Sequence, residues 1–284
     1  MRIANVSHRL SLIQGSGAID VHAASDGRFG PDVAAVYSRW EEFAAWAASA
    51  TLPDPVSFAV TDLGSPSPEP RQVFGIGLNY GAHAAESGFG RPETSPPVFT
   101  KFPTCITGPT GEITLPPGGH TDWEVELVVI IGRLARDVRA ADAWAHVAGL
   151  SVGQDVSERI LQMAAKPPQF SMGKSYPGFG PVGPWLVTPD EFSNPDDLEL
   201  GCSVNGEEMQ KSRTGDLLVG VPGLIEQLSG VTSLLPGDII FTGTPSGVGM
   251  GRSPQRWLKP GDVLTTYVEG IGEMRHTFVA ASAG

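Results

Sequence analysis

The run Asp122-Trp-Glu-Val-Glu-Leu-Val-Val-Ile-Ile131 constrains this chain more than any other segment. From Leu127 onward every residue in it is apolar, the pattern of a strand covered on both faces and not of one lying at a surface. Side chains alternate along a strand, so Glu124 and Glu126 point to the same side. Two carboxylates entering such a strand repel each other and lose hydration, which is tolerable when one binds a proton or both share a countercharge. A hard divalent ion held by oxygens is the simplest countercharge. The plainer alternative places the pair at a wet strand end, beside water or a lysine.

At 284 residues the chain can bury a sizeable core, as one large domain or as a large domain with a small appendage. Its 36 glycines and 25 prolines are scattered through apolar segments, which argues for many turns and short strands. A net charge of -12 argues against nucleic acid as a partner and disfavours an anionic membrane. No apolar run reaches membrane-spanning length, and Met1-Arg2-Ile3-Ala4-Asn5 does not lead into a signal peptide, so a cytoplasmic setting is expected. Cys105 and Cys202 supply neither a zinc spacing nor a disulfide framework.

Residues 1–30 read as short strands with glycine turns, and the Ala-rich stretch at 31–49 reads as helical. Gly64-Ser-Pro-Ser-Pro-Glu-Pro70 is a stiff polar connector, and it divides the chain into a small N-terminal α/β module, 1–70, and a catalytic domain, 71–284. Beyond it Val73-Phe-Gly-Ile-Gly-Leu78 reads as a strand, and Asn79 as the cap of a short helix carrying His83 and Glu86. Residues 88–97 read as a mobile loop, and a helix is expected over 157–165. The remainder reads as many strands and few helices, an α+β fold that is mainly β.

Asp155 lies where an apolar strand ends, either as a third oxygen ligand or as a helix N-cap, since Asp155-x-x-Glu158 has the capping-box pattern. His83 and Glu86 stand three apart on one helix face, where a carboxylate can orient an imidazole as a general base; an exposed surface pair is the duller reading. Lys174, in a glycine-flanked loop, either meets an anionic substrate or is solvated. The loop Gly243-Thr-Pro-Ser-Gly-Val-Gly249 offers backbone amides to a ligand. Gly149-Leu-Ser151-Val-Gly153 matches a nucleophile elbow and makes a Ser151–Asp238–His276 triad formally available, although that leaves the glutamates unexplained.

In order along the chain, several segments resemble the fumarylacetoacetate hydrolase family. They are Gly77-Leu-Asn-Tyr-Gly-Ala-His-Ala-Ala-Glu86, Pro96-Pro-Val-Phe-Thr-Lys101, Asp122-Trp-Glu-Val-Glu-Leu127, Gln154-Asp-Val-Ser-Glu-Arg-Ile-Leu-Gln162, Gly173-Lys-Ser-Tyr176, Gly183-Pro-Trp-Leu-Val-Thr-Pro189 and the stretch Leu235 to Gly249. The resemblance implies a mixed β-sandwich or roll catalytic domain that forms a homodimer. It implies Mg²⁺, or Mn²⁺ in its place, on Glu124, Glu126 and Asp155. It also implies a His83–Glu86 dyad on a lid segment, an active-site Lys174, and substrate contacts from Arg159, Gln162 and Thr244. The chemistry implied is hydrolysis of a carbon–carbon bond in a 2-oxo or 2,4-dioxo acid such as an acylpyruvate. Oxaloacetate decarboxylation and 2-oxo-diacid isomerisation are the alternatives at the same site. Where many members carry a small polar pair after the lysine motif, this chain has Pro177-Gly-Phe179, so that pair's part in substrate recognition does not carry over.

Overall fold

The structure, a computed structural model, describes residues 1–86, 88 and 95–281. The loop expected at 88–97 and the lid expected around His83 fall in part on residues 87 and 89–94, which lie outside the described residues.

Two sheets carry the fold. The larger has twelve strands, and the five-stranded one joins Glu207–Arg213, Glu199–Val204, Val263–Val268, Gly272–Ala280 and Thr110–Leu115 in that order. Near the middle of the larger sheet lies Val125–Ile131, antiparallel to both Val147–Gln154 and Ile239–Phe241. All seven residues of this strand are buried, as its unbroken apolar pattern predicts. Alternation then splits them between two cores. Val125, Leu127, Val129 and Ile131 meet residues of the five-stranded sheet such as Leu200, Leu264 and Phe278. Val128 and Ile130 face the opposite way, into a cluster with Phe241, Trp40 and Phe43. Glu124 and Glu126 continue this second face at the strand's entry, where the apolar cluster gives way to the candidate site.

The N-terminal strands join the same sheet: Arg2–Val6 pairs antiparallel with Gly180–Val187, and Arg9–Gln14 and Gly17–Asp20 extend it outward. The connector at 64–70 is packed and not solvated, with Ser67 buried and its hydroxyl donating to Gly237 O at 2.7 Å. Of the stretch expected to be helical at 31–49, only Trp40–Ser49 is α-helical, preceded by a 3₁₀ segment Ala35–Arg39. Among the described residues no helix is long and apolar enough to cross a membrane.

Two local expectations are corrected. Asn79 does not cap the Gly81–Glu86 helix; its amide donates to Val219 O and Thr242 O and accepts from Val219 N, tying three segments together. The helix expected over 157–165 is shorter, Arg159–Met163, because Ser157–Glu158 pairs with Thr121–Asp122 as a two-residue strand. Its N-cap is Glu158, whose carboxylate accepts from Ile160 N and Leu161 N, so Asp155 is not the cap.

Candidate metal centre and active site

Two strand ends deliver the acids. Glu124 and Glu126 enter from Val125–Ile131, and Asp155 follows Val147–Gln154, its amide bonded to Glu124 O at 2.9 Å. One carboxylate oxygen from each of Glu124, Glu126 and Asp155 lies within 4.8 Å of the others. All three residues are buried, so the strand end is not wet, although Glu124 does lie beside a lysine, as the plainer reading allowed.

The cations around them are as buried as the acids. Lys174 Nζ lies 2.7 Å from Glu124 Oε2, 2.6 Å from Asp155 Oδ2 and 2.8 Å from Ser157 Oγ. It therefore lies on the proposed ligands themselves, neither solvated nor free for a substrate anion. Arg159 reaches Asp122 through Nε at 2.9 Å and Glu124 Oε1 through Nη1 at 2.7 Å, and Nη1 also donates to Gln162 Oε1. Its Nη2 lies 2.8 Å from Asp122 Oδ2 but is not aligned for a hydrogen bond, leaving a buried donor without an acceptor. Lys101 Nζ holds Asp155 Oδ1 at 2.7 Å and donates to the carbonyls of Lys174 and Phe179.

Among the described residues the charges do not balance. Asp122, Glu124, Glu126 and Asp155 bring four negative charges; Lys101, Arg159 and Lys174 bring three positive ones, leaving 3 − 4 = −1. The surplus sits on Glu126. Among the described residues no cationic side chain pairs with it, and one oxygen accepts only Gly243 N–H at 2.7 Å. Burial, reinforced by the charges of Asp155 and Glu124, pushes the Glu126 carboxyl well above the usual carboxylate range. Glu124 goes the other way: against the cost of burial, the charges of Lys174 and Arg159 hold it down at about 2. Lys174 is pushed up despite burial, by Asp155 and Glu124. A buried carboxylate without a cation, beside two more hard oxygen ligands, fits a divalent ion. With such an ion bound the cluster carries −1 + 2 = +1, a charge suited to an anionic ligand.

His83 and Glu86 lie on the same helix as expected, His83 Nδ1 3.0 Å from Glu86 Oε1. His83 is buried, so the pair is not a surface ornament. Glu86 is itself pinned, both its oxygens accepting Gly247 N–H at 3.0 Å. That close approach requires glycine, since Gly247 has φ +105° and a Cβ there would lie 2.2 Å from Met209 O. His83, Glu124, Glu126, Arg159, Gln162, Lys174 and Thr244 line one cavity, whose other wall is apolar: Ile76, Leu78, Phe99, Met163, Phe170 and Met250. Thr244 Oγ1 donates to Val125 O at 2.9 Å and accepts from Gln210, so its hydroxyl is spent on the fold although the residue lines the cavity.

The glycine-rich loop behaves differently from the expectation that it offers amides to a ligand. Gly243 N serves Glu126, Gly247 N serves Glu86, and Gly249 N and Met250 N serve Asp122 at 2.6 and 3.0 Å. The loop is thus a clamp on the site's own acids. Asp122 and Lys101 were not identified from sequence as site residues. Asp122 shares strand parity with Glu124 and Glu126, and Lys101 is a lone cation ending the apolar stretch Val98-Phe-Thr; both signals were present.

The serine triad is not assembled. Ser151 Oγ donates to Gly183 O and Trp185 O, Asp238 accepts from Gln72 and Leu235, and His276 Nε2 bonds Gly108 O at 3.0 Å.

The Fumarylacetoacetate (FAA) hydrolase C-terminal profile matches residues 72–279. The chain belongs to the fumarylacetoacetate hydrolase family. It is 43% identical over 209 residues to the bovine (Bos taurus) mitochondrial oxaloacetate tautomerase FAHD2A, covering 73% of this chain and 66% of that protein. The chain thus spans about two thirds of that relative's length. A Mycobacterium smegmatis protein provisionally named HpcE superposes with a TM-score of 0.96 at 54% identity, covering 99% of this chain and 100% of the other. The maleylpyruvate hydrolase of Sphingobium sp. SYK-6, solved with manganese(II) and pyruvate, superposes with a TM-score of 0.78 at 29% identity, over 99% and 100% of the chains.

Proposed function

We propose that this chain is a divalent-metal-dependent hydrolase that splits a carbon–carbon bond in a 2,4-dioxo acid of the acylpyruvate type. One observation carries the reading: Glu124 and Glu126 of a buried acidic triad line the same cavity as His83, which Glu86 orients, and among the described residues no cation pairs with Glu126. The relative bound to manganese and pyruvate supports it, pyruvate being what an acylpyruvate leaves behind.

Glu124, Glu126 and Asp155 would hold Mg²⁺ or Mn²⁺. When bound, that ion supplies a countercharge for the negative charge developing on the pyruvate half, a Lewis-acid effect of several kcal/mol. His83, its Nδ1 fixed by Glu86, takes a proton from water through the other ring nitrogen. The hydroxide adds to the distal carbonyl, the bond to the adjacent carbon breaks, and that carbon takes up a proton, giving a carboxylic acid and pyruvate. Arg159, with its unmatched Nη2 donor, and Lys174, once a cation takes its place on Glu124 and Asp155, would hold the substrate carboxylate or the developing oxyanion.

The identity to an oxaloacetate tautomerase favours one other reading, proton movement at the same site without water addition. A panel of acylpyruvates, oxaloacetate and unsaturated 2-oxo diacids, assayed with Mg²⁺ and with EDTA, separates them. Metal-dependent release of pyruvate from acylpyruvates is expected. Acceleration of oxaloacetate keto–enol exchange with no acylpyruvate cleavage would replace this reading by the tautomerase.

A further inference from the structure

Each acid of the triad has one oxygen already committed to the protein. Glu124 Oε1 is held by Arg159 at 2.7 Å, Glu126 Oε2 by Gly243 N at 2.7 Å, and Asp155 Oδ1 by Lys101 at 2.7 Å. One oxygen per carboxylate remains, and two of these three, Glu124 Oε2 and Asp155 Oδ2, face Lys174.

The two lysines on Asp155 differ in what they can do. Lys174 lines the cavity and can turn toward a ligand when a cation takes its place. Lys101 has 1% of its surface exposed, and its three N–H groups are spent on Asp155 and on the carbonyls of Lys174 and Phe179. Leaving Asp155 would cost this buried ammonium its countercharge and leave one N–H without an acceptor. Asp155 Oδ1 is therefore tied to Lys101, which hinders the carboxylate from turning both oxygens onto one cation.

Building on the divalent-cation reading above, we infer that Lys101 is a positioning residue that makes Asp155 present a single oxygen and so biases the site against calcium. One oxygen from each of the three acids would supply three ligands, a number that suits a small six-coordinate ion such as Mg²⁺, which keeps several waters. Ca²⁺ takes six to eight oxygens, often through both atoms of a carboxylate. Arg159 and Gly243 act in the same sense on the glutamates; Lys101 also braces the backbone carbonyls of Lys174 and Phe179.

The test is calorimetric titration of EDTA-stripped wild type and Lys101→Met with Mg²⁺ and with Ca²⁺. Loss of a positive charge beside Asp155 tightens both ions, and the freed Oδ1 gives Ca²⁺ a further gain, so affinity for Ca²⁺ relative to Mg²⁺ rises roughly tenfold or more. A common shift with an unchanged ratio would mean that Lys101 contributes charge alone, and would overturn the inference. If Lys101→Met does not fold, wild type crystallised with Ca²⁺ decides the matter: Asp155 Oδ1 stays on Lys101, whereas both Asp155 oxygens on the ion would refute it. Wild type that binds neither ion would instead overturn the metal reading itself.

Discussion

The same substitution made two residues apart should have opposite consequences for the metal-free protein. Glu124→Gln removes the charge that pairs with Lys174 and Arg159, both at 2.7 Å and all three side chains almost fully buried. Removing one partner of a buried ion pair costs about 3–5 kcal/mol, because the other charge is left without compensation. The glutamine can still accept one hydrogen bond, which points to the lower end, about 3 kcal/mol. Glu126→Gln replaces a carboxyl that no cation pairs with among the described residues and whose burial already favours the protonated form, and the amide oxygen keeps the Gly243 N–H. Its effect is expected between neutral and about 2 kcal/mol stabilising. The assay is urea unfolding in EDTA at neutral pH. With a slope near 3 kcal/mol/M for a chain this size, the midpoint of Glu124→Gln falls by about 1 M while that of Glu126→Gln holds or rises. Equal losses in the two variants would show that Glu126 is compensated after all, and the charge count would fail.

Two further outcomes follow from the same geometry. His83→Ala is expected to lower turnover by about 10²–10⁴-fold while leaving Mg²⁺ affinity, read by calorimetry, within a few-fold of wild type; a variant with near-normal turnover removes the histidine from the chemistry. His276 is buried with its ring on Gly108 O, and burial lowers it from 6.5 to about 4. A histidine with a depressed native value stabilises the fold above 6.5 and loses that contribution as pH falls toward about 4, a loss of about 3 kcal/mol at about 1.4 kcal/mol per unit. In His276→Phe that part of the acid sensitivity should vanish from urea midpoints measured between those values, and an unchanged slope would count against it.

What could be read before the structure was whatever depends on alternation or local spacing. The unbroken apolar run from Leu127 to Ile131 announced a strand buried on both faces, and parity placed Glu124 and Glu126 together. Helical spacing likewise joined His83 to Glu86. Long-range pairing was beyond reach. The two-residue strand Ser157–Glu158 shortened the expected helix and moved its cap to Glu158 only because Thr121–Asp122 lies beside it. Asn79 suits a cap by composition but is claimed by Val219 and Thr242, 140 and 163 residues away. Lys174 read as solvated or substrate-facing because a sequence does not show that Glu124, fifty residues earlier, meets it. The sign of each acid's displacement rests on such partners, so the contrast between Glu124 and Glu126 was not legible.

The central claim is that Glu124, Glu126 and Asp155 together bind one divalent ion. Calorimetric titration of EDTA-stripped protein with Mn²⁺ tests it most directly, with Glu126→Gln as the control. One ion per wild-type chain is expected, with binding lost in the variant, whose apo fold should be intact. Mn²⁺ binding to Glu126→Gln with wild-type affinity would contradict the account.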